Sequence, residues 1–307
     1  MRFSITAALA LASSVSALAL PAMTKRQAAD IDPVILQYAL TLEHLENAFY
    51  KKALSMWSQE EFVAANFTPM FYDELKYIAH DEEGHVLYLE AGLTAAGAMP
   101  VEACTYSFPM TTPKEFVALA SVIEGVGVSA YLGAAADITS KAYLTAAGAI
   151  LVTEALHQSA TRGAVGEIPM ANLVGTPMGL NAVYTIASGF IVSCPSTNMA
   201  LPVMAYPSLT LVTGEPTAEN VTIMLTPKMM PSGTAYATFV SGLDILPVPV
   251  TVSGDSVSAV VPVGVSGQSY VFLTSDNSGN LTDASILAGP AIIEATPDSP
   301  TFDLSIM

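Results

Sequence analysis

The sequence predicts a multi-domain α and β protein, in which a four-helix bundle precedes a C-terminal β-sandwich of immunoglobulin-like architecture. Two Glu-x-x-His pairs, Glu82/His85 and Glu154/His157, lie in apolar segments of helical period. A segment with its own glutamate precedes each pair. From about Thr197 the composition changes to Val, Thr, Ser, Pro and Gly in short alternating runs, which predicts strands. These observations place any metal or catalytic chemistry in the helical part.

The two pairs predict a two-metal site inside the bundle. Residues three apart share a helix face with Cβ atoms about 5–6 Å apart, so each pair can bind one ion or two neighbouring ions. Such a site also needs one glutamate from each of the other two helices, and Glu43 and Glu124 are placed to supply them. The predicted metal ligands are Glu43, Glu82, His85, Glu124, Glu154 and His157.

A tyrosine follows each lone glutamate after seven residues, Tyr50 after Glu43 and Tyr131 after Glu124. Seven residues are two helical turns, so each tyrosine lies near the face of its glutamate. We expect both tyrosines to serve catalysis, as hydrogen-bond donors beside the ligands or as radical traps. Glu46 is an alternative to Glu43, but only Glu43 has the seven-residue relation that recurs in the second half.

Four carboxylates in an apolar interior need a counter-charge, because burial disfavours their ionised form. Two divalent cations would balance them. Mixed carboxylate and imidazole ligands suit iron or manganese, and zinc also fits, since selectivity among divalent ions depends largely on geometry and availability.

The ligand pattern and the segments LEHLENAFY, HDEEGH and VIEGVGVSAYLGAA, with the later CP at Cys194, resemble fungal secreted ferritin-like proteins described as stress-response and desiccation-related proteins. The resemblance covers roughly residues 30–200. It implies a ferritin-like bundle with a dinuclear centre, and it assigns the six ligand roles to the positions just named. It leaves the β-rich C-terminal part unexplained.

The helices have recognisable ends. The first is predicted from Asp32 to about Trp57, and the second from Pro69 to about Ala96, before Gly97. A loop over residues 98–112 is long enough to cross the bundle.

Thr112-Pro113-Lys114-Glu115 begins the third helix with a capping box. Its Gly125, Gly127 and Gly133 indicate close approach of neighbouring helices. The fourth helix is predicted from Ser140 to Thr161, and a short packing helix follows within residues 177–192.

Seven short strands are predicted in the C-terminal part, at SLTLVT, NVTIML, AYATFV, VPVTV, SAVVPV, YVFLT and AIIEA. Their spacing fits an immunoglobulin-like sandwich without the Cys and Trp signature of antibody domains. Lys228 is the only basic residue there, and histidine and cysteine are absent. We therefore expect this part to bind or space other molecules.

The N-terminus indicates export. Residues 1–19 read as a signal peptide, and residues 20–26 as a short propeptide ending at Lys25-Arg26. An uncleaved anchor is the alternative. The domains would then be 27–196 for the bundle and 197–307 for the sandwich. We expect the mature protein to be secreted, extracellular or in the cell wall.

Cysteines and sequons agree with that compartment. Cys104 and Cys194 are the only cysteines, so a disulfide between them is predicted, with two buried free thiols as the alternative. Asn66, Asn220 and Asn280 begin Asn-x-Thr sequons and are predicted glycosylation sites.

The charge balance excludes some partners. The formal net charge is −17, which disfavours nucleic acid and anionic membranes and favours cations. Residues 116–136 are apolar enough to span a membrane, but Glu124 near the middle favours a buried bundle helix, so no membrane span is expected in the mature protein.

Two functional hypotheses follow. The first is a secreted stress-response protein whose dinuclear iron or manganese site reacts with dioxygen or peroxide, as an oxidase, peroxidase or catalase-like enzyme, or sequesters metal. The second is a cell-wall or extracellular structural protein that uses the bundle as a scaffold and the sandwich to contact polysaccharide or protein. A storage cage is disfavoured by the long β-type segment.

Overall fold

The computed structural model describes residues 31–214, 217–303 and 305–306. The predicted signal peptide, propeptide and dibasic site lie outside the described residues. The described chain is helical up to residue 188 and β-rich after residue 208.

The helical part contains six helices among the described residues. They are α1 Asp32–Met56, α2 Gln59–Ala64, α3 Pro69–Ala95, α4 Pro113–Ala134, α5 Lys141–Val165 and α6 Leu180–Ser188. The four long helices α1, α3, α4 and α5 match the four that were predicted for the bundle. Helix α1 packs against α3, and α4 packs against α5, so each predicted half-site corresponds to one helix pair.

Helix α2 was not expected, because its segment reads as a connector. A capping box starts it, in which the Ser58 side chain accepts from the Glu61 backbone and the Glu61 side chain accepts from the Ser58 backbone. Its one buried residue, Phe62, joins the aromatic core with Phe49 and Phe116. That packing stabilises a helix too short to persist alone.

Helix α4 is long and apolar enough to cross a membrane, and it is the only such helix among the described residues. In its most apolar window 67% of the residues are buried against the rest of the protein. This burial is typical of a core helix, as Glu124 led us to expect.

Strands β1 Thr105–Tyr106 and β2 Ile191–Ser193 form a two-stranded antiparallel sheet beside the bundle. Cys104 and Cys194, at the ends of these strands, form a disulfide. The predicted disulfide is thus confirmed, and it ties the α3–α4 connector to the segment after α6.

The C-terminal part contains two four-stranded antiparallel sheets. Their strands are β3 Leu209–Leu211, β4 Thr222–Pro227, β5 Tyr236–Ser241, β6 Asp244–Pro249, β7 Thr251–Ser253, β8 Ser256–Val260, β9 Gly267–Thr274 and β10 Ile286–Ala295. The strand orders are β3-β4-β8-β7 and β10-β9-β5-β6. Residues of both sheets, including Leu225, Phe239 and Val271, share one hydrophobic core.

The described residues of the C-terminal part form eight strands, one more than the seven predicted, because the run VPVTV does not form one strand. Its first residues belong to β6 in one sheet, and its last belong to β7 in the other. Pro247 and Pro249 lie in β6, an edge strand, where a missing N–H does not break a central ladder. Val250 alone separates the two strands, so the chain changes sheets there.

The β-rich part packs directly on α4. Tyr270 of β9 is buried, and its hydroxyl lies 2.8 Å from Ser129 Oγ of α4. The Gln268 amide, also on β9, donates to the Val122 carbonyl at 3.1 Å. The β-rich part therefore supports the helix that carries Glu124.

Candidate metal centre

The six predicted ligands converge from the four long helices. Glu43 comes from α1, Glu124 from α4, and each of α3 and α5 supplies one Glu-x-x-His pair. The four glutamates are 0% exposed. Each glutamate follows, about one turn later on its helix, a buried apolar residue, so the acids lie on the buried faces of their helices; these residues are Leu40, Ile78, Ala120 and Ile150.

The ligand atoms form two overlapping groups. One contains Glu43, Glu82, His85 and Glu154, and the other contains Glu82, Glu124, Glu154 and His157. Within each group the donor atoms lie within 4.8 Å of one another. Glu82 and Glu154 belong to both groups, so each can bridge two ions, while the remaining four residues each serve one position.

Each imidazole turns Nδ1 toward the carboxylates. His85 Nδ1 lies 3.1 Å from Glu43 Oε2, 3.3 Å from Glu154 Oε1 and 3.6 Å from Glu82 Oε2. His157 Nδ1 lies 3.0 Å from Glu82 Oε1 and 3.3 Å from Glu124 Oε2. A cation that is bound by a histidine and several carboxylates requires the ring nitrogen and the carboxylate oxygens to face the same point, as they do here.

The donor set fits two divalent cations. Both carboxylate oxygens of Glu82 and of Glu154 are buried without a hydrogen bond among the described residues, as are Glu124 Oε2 and His157 Nδ1. His157 Nδ1 is close to two carboxylates but lacks hydrogen-bond geometry to them. Buried polar atoms are rarely left without a partner, and a bound ion would supply one to all six.

The acid–base properties of the centre reflect its burial. Burial, opposed by the two histidines and reinforced by the charges of Glu43 and Glu124, raises the pKa of Glu82 to about 7. Burial and then the charge of Glu82 raise the pKa of Glu154 well above its ordinary value. Without metal the centre therefore retains protons that divalent cations would displace.

The pKa values of the two histidines are also raised. Burial acts to lower the pKa of His157, but the carboxylates of Glu124 and Glu82 close to its Nδ1 outweigh burial and raise that pKa to about 11. The pKa of His85 also rises, since Glu154, Glu43 and Glu82 together outweigh its burial. Both imidazoles are therefore cationic at neutral pH when no metal is bound.

Each of the two tyrosines contacts the predicted glutamate ligand of the other tyrosine's helix. Tyr50 of α1 donates to Glu124 Oε1 on α4, and Tyr131 of α4 donates to Glu43 Oε1 on α1. A tyrosine two turns away is about 10 Å along the axis from its own glutamate, too far for a direct contact. The crossed pairing requires α1 and α4 to run antiparallel, and it fixes both terminal carboxylates.

Glu46, the alternative to Glu43, is also in the interior. It is 4% exposed, and burial together with the charges of Glu154 and Glu82 raises its pKa well above the ordinary value. Neither group of ligand atoms includes it. Glu46 is therefore a fifth buried glutamate beside the centre, which the sequence identified only as a competing ligand.

Asp81 lies beside the centre, although no pattern in the sequence identifies it. Its Oδ2 lies 3.4 Å from His157 Nε2, on the side of the ring opposite the metal-facing nitrogen. A carboxylate in this position fixes the tautomer and orientation of a ligating histidine. The only signal in the sequence was an extra acid before Glu82, which a solvated helix face explains equally well.

All three glycines of α4 are at close contacts, but a neighbouring helix makes the contact only at Gly125 and Gly127, and only Gly127 faces the ligands. A Cβ at Gly127 would lie closer than 3.0 Å to Glu154 Oε2 and Glu46 Oε1. At Gly125 the nearest atoms belong to Gln268 of β9 and Gln158, and at Gly133 they belong to the backbone of Met178.

The predicted glycosylation residues and the chain's other two histidines lie outside the centre. The sequon asparagines Asn66, Asn220 and Asn280 are exposed. His80 is on the surface, whereas His44 is buried with its Nε2 3.0 Å from the Val101 carbonyl oxygen. Neither histidine contacts the ligand groups.

The helical part is similar to a known protein family. Residues 31–167 match the family model described as a ferritin-like domain. Protein rds1 of Schizosaccharomyces pombe is 26% identical over 253 residues, which cover 81% of this chain. The chain spans 61% of the length of that relative.

The crystal structure of a conserved hypothetical protein, Rv2844, from Mycobacterium tuberculosis is 19% identical, with a TM-score of 0.39. The match covers 46% of this chain and 94% of that one. The helical part is thus a ferritin-like domain by its family match, with a buried cluster of carboxylates and histidines compatible with divalent metal ions. The β-rich part lies outside the residues that the family model matches, whereas the 253 residues aligned with Protein rds1 are too many to lie in the helical part alone.

Proposed function

We propose that this protein is an exported ferritin-like protein whose helical domain holds two iron or manganese ions and uses them in redox chemistry with dioxygen or peroxide. The observation that supports this most directly is the pair of overlapping donor groups that share Glu82 and Glu154. Iron or manganese bound there would supply the electron transfer that glutamate and histidine cannot provide.

The protein's own residues prepare the site for these ions. Four carboxylates balance the charge of two divalent cations, and two imidazoles add neutral nitrogen donors once their protons leave. Tyr50 and Tyr131 hold the terminal carboxylates of Glu124 and Glu43, so these ligands do not have to reorient when metal binds. Burial excludes bulk water from the donor atoms.

Metal analysis of the purified full-length chain tests this proposal. We expect about two ions per chain in the wild type and none in Glu82→Ala/Glu154→Ala, since both bridging ligands are lost. Glu60→Ala/Glu83→Ala is the matched control, because it also removes two carboxylates, both exposed. Equal metal content in all three proteins would reject the centre.

An activity screen then distinguishes the reactions. Chains loaded with iron(II) or manganese(II) are mixed with dioxygen or peroxide while oxygen is monitored by electrode. Oxygen uptake indicates an oxidase, and oxygen release from peroxide indicates a catalase-like reaction. No turnover in either loaded form, with metal still bound, would favour sequestration over redox catalysis.

Export and the architecture of the β-rich part belong to the same proposal. The Cys104–Cys194 disulfide supports an oxidising compartment, since such bonds are rare in the cytosol. The strand orders β3-β4-β8-β7 and β10-β9-β5-β6 support an immunoglobulin-like sandwich, because they correspond to its A-B-E-D sheet and to its G-F-C sheet with one added edge strand.

A further inference from the structure

A cavity of about 200 Å³ lies among the four long helices, next to the metal centre. Ala39 of α1, Leu89 of α3 and Ile150 of α5 line it. Each of the three is four residues from a ligand on the same helix, namely Glu43, His85 or Glu154. Four residues are about 6 Å along a helix axis, so the cavity begins roughly one turn from the ligands.

Tyr131 connects the cavity to the centre. Its side chain forms part of the cavity wall, and its hydroxyl donates to Glu43 Oε1. A tyrosine hydroxyl that donates one hydrogen bond retains lone pairs to accept another. A ligand hydroxyl in the cavity can therefore donate to the Tyr131 oxygen, one bond away from a predicted metal ligand.

The wall selects a neutral and mostly apolar ligand. Aliphatic residues and the rings of Tyr88, Tyr131 and Tyr143 make up most of it, and no lysine, arginine or histidine is among the described residues that line it. Its one charged residue, Asp32, accepts hydrogen bonds from the Thr139 and Ser140 backbones at 2.7 and 2.8 Å. An anionic ligand would find no positive counter-charge here.

The size of the cavity matches one aromatic ring. An apolar protein cavity of about 150 Å³ stays dry and binds benzene, so this cavity of about 200 Å³ can hold a ring with a small substituent. Tyrosine rings favour an aromatic guest over an aliphatic one of equal size, through edge-to-face or offset packing.

We propose that this cavity binds a neutral single-ring phenol, whose ring packs against the tyrosines and whose hydroxyl donates to Tyr131. Binding itself requires no metal. Only the role of the phenol as a reaction partner of the centre rests on the proposed function. The fit of the guest is set by the cavity walls, so filling the cavity must abolish binding without any change in the ligands.

Gly92 and Gly148 provide a matched pair of variants. Gly92 lines the cavity and a Cβ there would meet no atom within 4 Å, so a leucine side chain at this position enters the open space. A Cβ at Gly148 would also meet no atom within 4 Å, but this residue is outside the cavity wall. Gly92→Leu and Gly148→Leu therefore make the same chemical change in two helices.

Calorimetry with phenol, on metal-free and manganese-loaded protein, measures the affinity. We expect Gly92→Leu to weaken the affinity for phenol by roughly tenfold or more. Gly148→Leu should change this affinity by less than about twofold. Tyr131→Phe should reduce the preference for phenol over benzene by about 3- to 10-fold, as expected for one lost hydrogen bond. Benzoate should bind to none of them, because its charge has no partner.

The site is located by soaking crystals with para-bromophenol and recording the anomalous signal of bromine. A peak between Tyr131 and Gly92 supports the proposal. Equal phenol affinity in wild type and Gly92→Leu, or a peak elsewhere, overturns it. If the protein binds phenol but takes up no metal, the proposed phenol site is supported and the proposed function is rejected. If the protein takes up metal but does not bind phenol, only the proposed phenol site is rejected.

Discussion

Asp81 is not a predicted ligand, but it contacts the ring of the predicted ligand His157 and can therefore control the orientation of that ring. The Nδ1 of His157 faces Glu82 and Glu124, and its Nε2 faces Asp81. Asp81 is partly exposed, so it can hold the outer edge of the ring without adding a charge to the buried cluster. These contacts restrain the His157 ring, with Nδ1 toward the buried glutamates and Nε2 toward Asp81.

Asp81→Asn should therefore weaken metal binding by about 10- to 100-fold while all six ligands remain. The amide cannot accept the Nε2 proton as strongly, so the imidazole loses both orientation and basicity. Competition with a fluorescent chelator measures the affinity. Asp73→Asn removes one exposed charge from the same helix and should leave the affinity unchanged, and an equal loss in both variants would contradict the positioning role.

Gly127→Ala should lower the metal content without removing a donor atom. The added methyl group would lie closer than 3.0 Å to Glu154 Oε2 and Glu46 Oε1, so the carboxylate of Glu154, which both donor groups share, must move. Gly148→Ala, in open space, provides the control for helix propensity. Mass spectrometry under native conditions counts the ions, and full occupancy in Gly127→Ala would show that Glu154 tolerates the shift.

At the scale of elements, the β-rich part is attached to both helices of the second pair. Besides the contacts of Gln268 and Tyr270 on α4, Arg162 near the end of α5 donates to both carboxylate oxygens of Glu294 on β10, at 2.6 and 2.7 Å. Arg162 is 4% exposed. The orientation of α5, and hence of Glu154, thus depends partly on a strand more than a hundred residues later.

Arg162→Met should destabilise the protein by about 2–5 kcal/mol, because it removes the charge that compensates a largely buried carboxylate. Burial already acts to raise the pKa of Glu294, and Arg162 opposes that rise. The double variant Arg162→Met/Glu294→Met should recover part of the loss, since no charge then remains at this position. Urea denaturation measures both, and no recovery in the double variant would contradict a purely electrostatic cause.

At the scale of the whole molecule, the acidic interior makes stability depend on pH and on metal. The pKa of Glu82 rises from 4.5 to about 7 in the folded protein, and that of His157 rises from 6.5 to about 11. In both cases the folded state favours the protonated form. The stabilisation is complete below the ordinary pKa and is lost as pH rises through the folded value.

The melting temperature of the chelated protein should accordingly fall between about pH 5 and pH 8. Manganese should reverse or flatten the trend, because metal binding displaces these protons and strengthens as pH rises. Scanning calorimetry with and without chelator measures both curves. Glu82→Gln, which does not titrate, should show a shallower fall, and an identical slope would exclude Glu82 as a cause.

The amino-acid sequence alone was enough to predict the six candidate ligands, their helices and the change to β structure, because helical spacing, capping signals and strand alternation act over a few residues. It was also enough to predict the disulfide, because two cysteines have only one possible pairing. Four features could be seen only in the folded protein. They are the crossed contacts of the two tyrosines, the position of Asp81 beside His157, the change of sheet at Val250 and the cavity next to Tyr131. Each joins residues that are distant in sequence or belong to different elements, and the packing that brings them together leaves no local pattern in the chain.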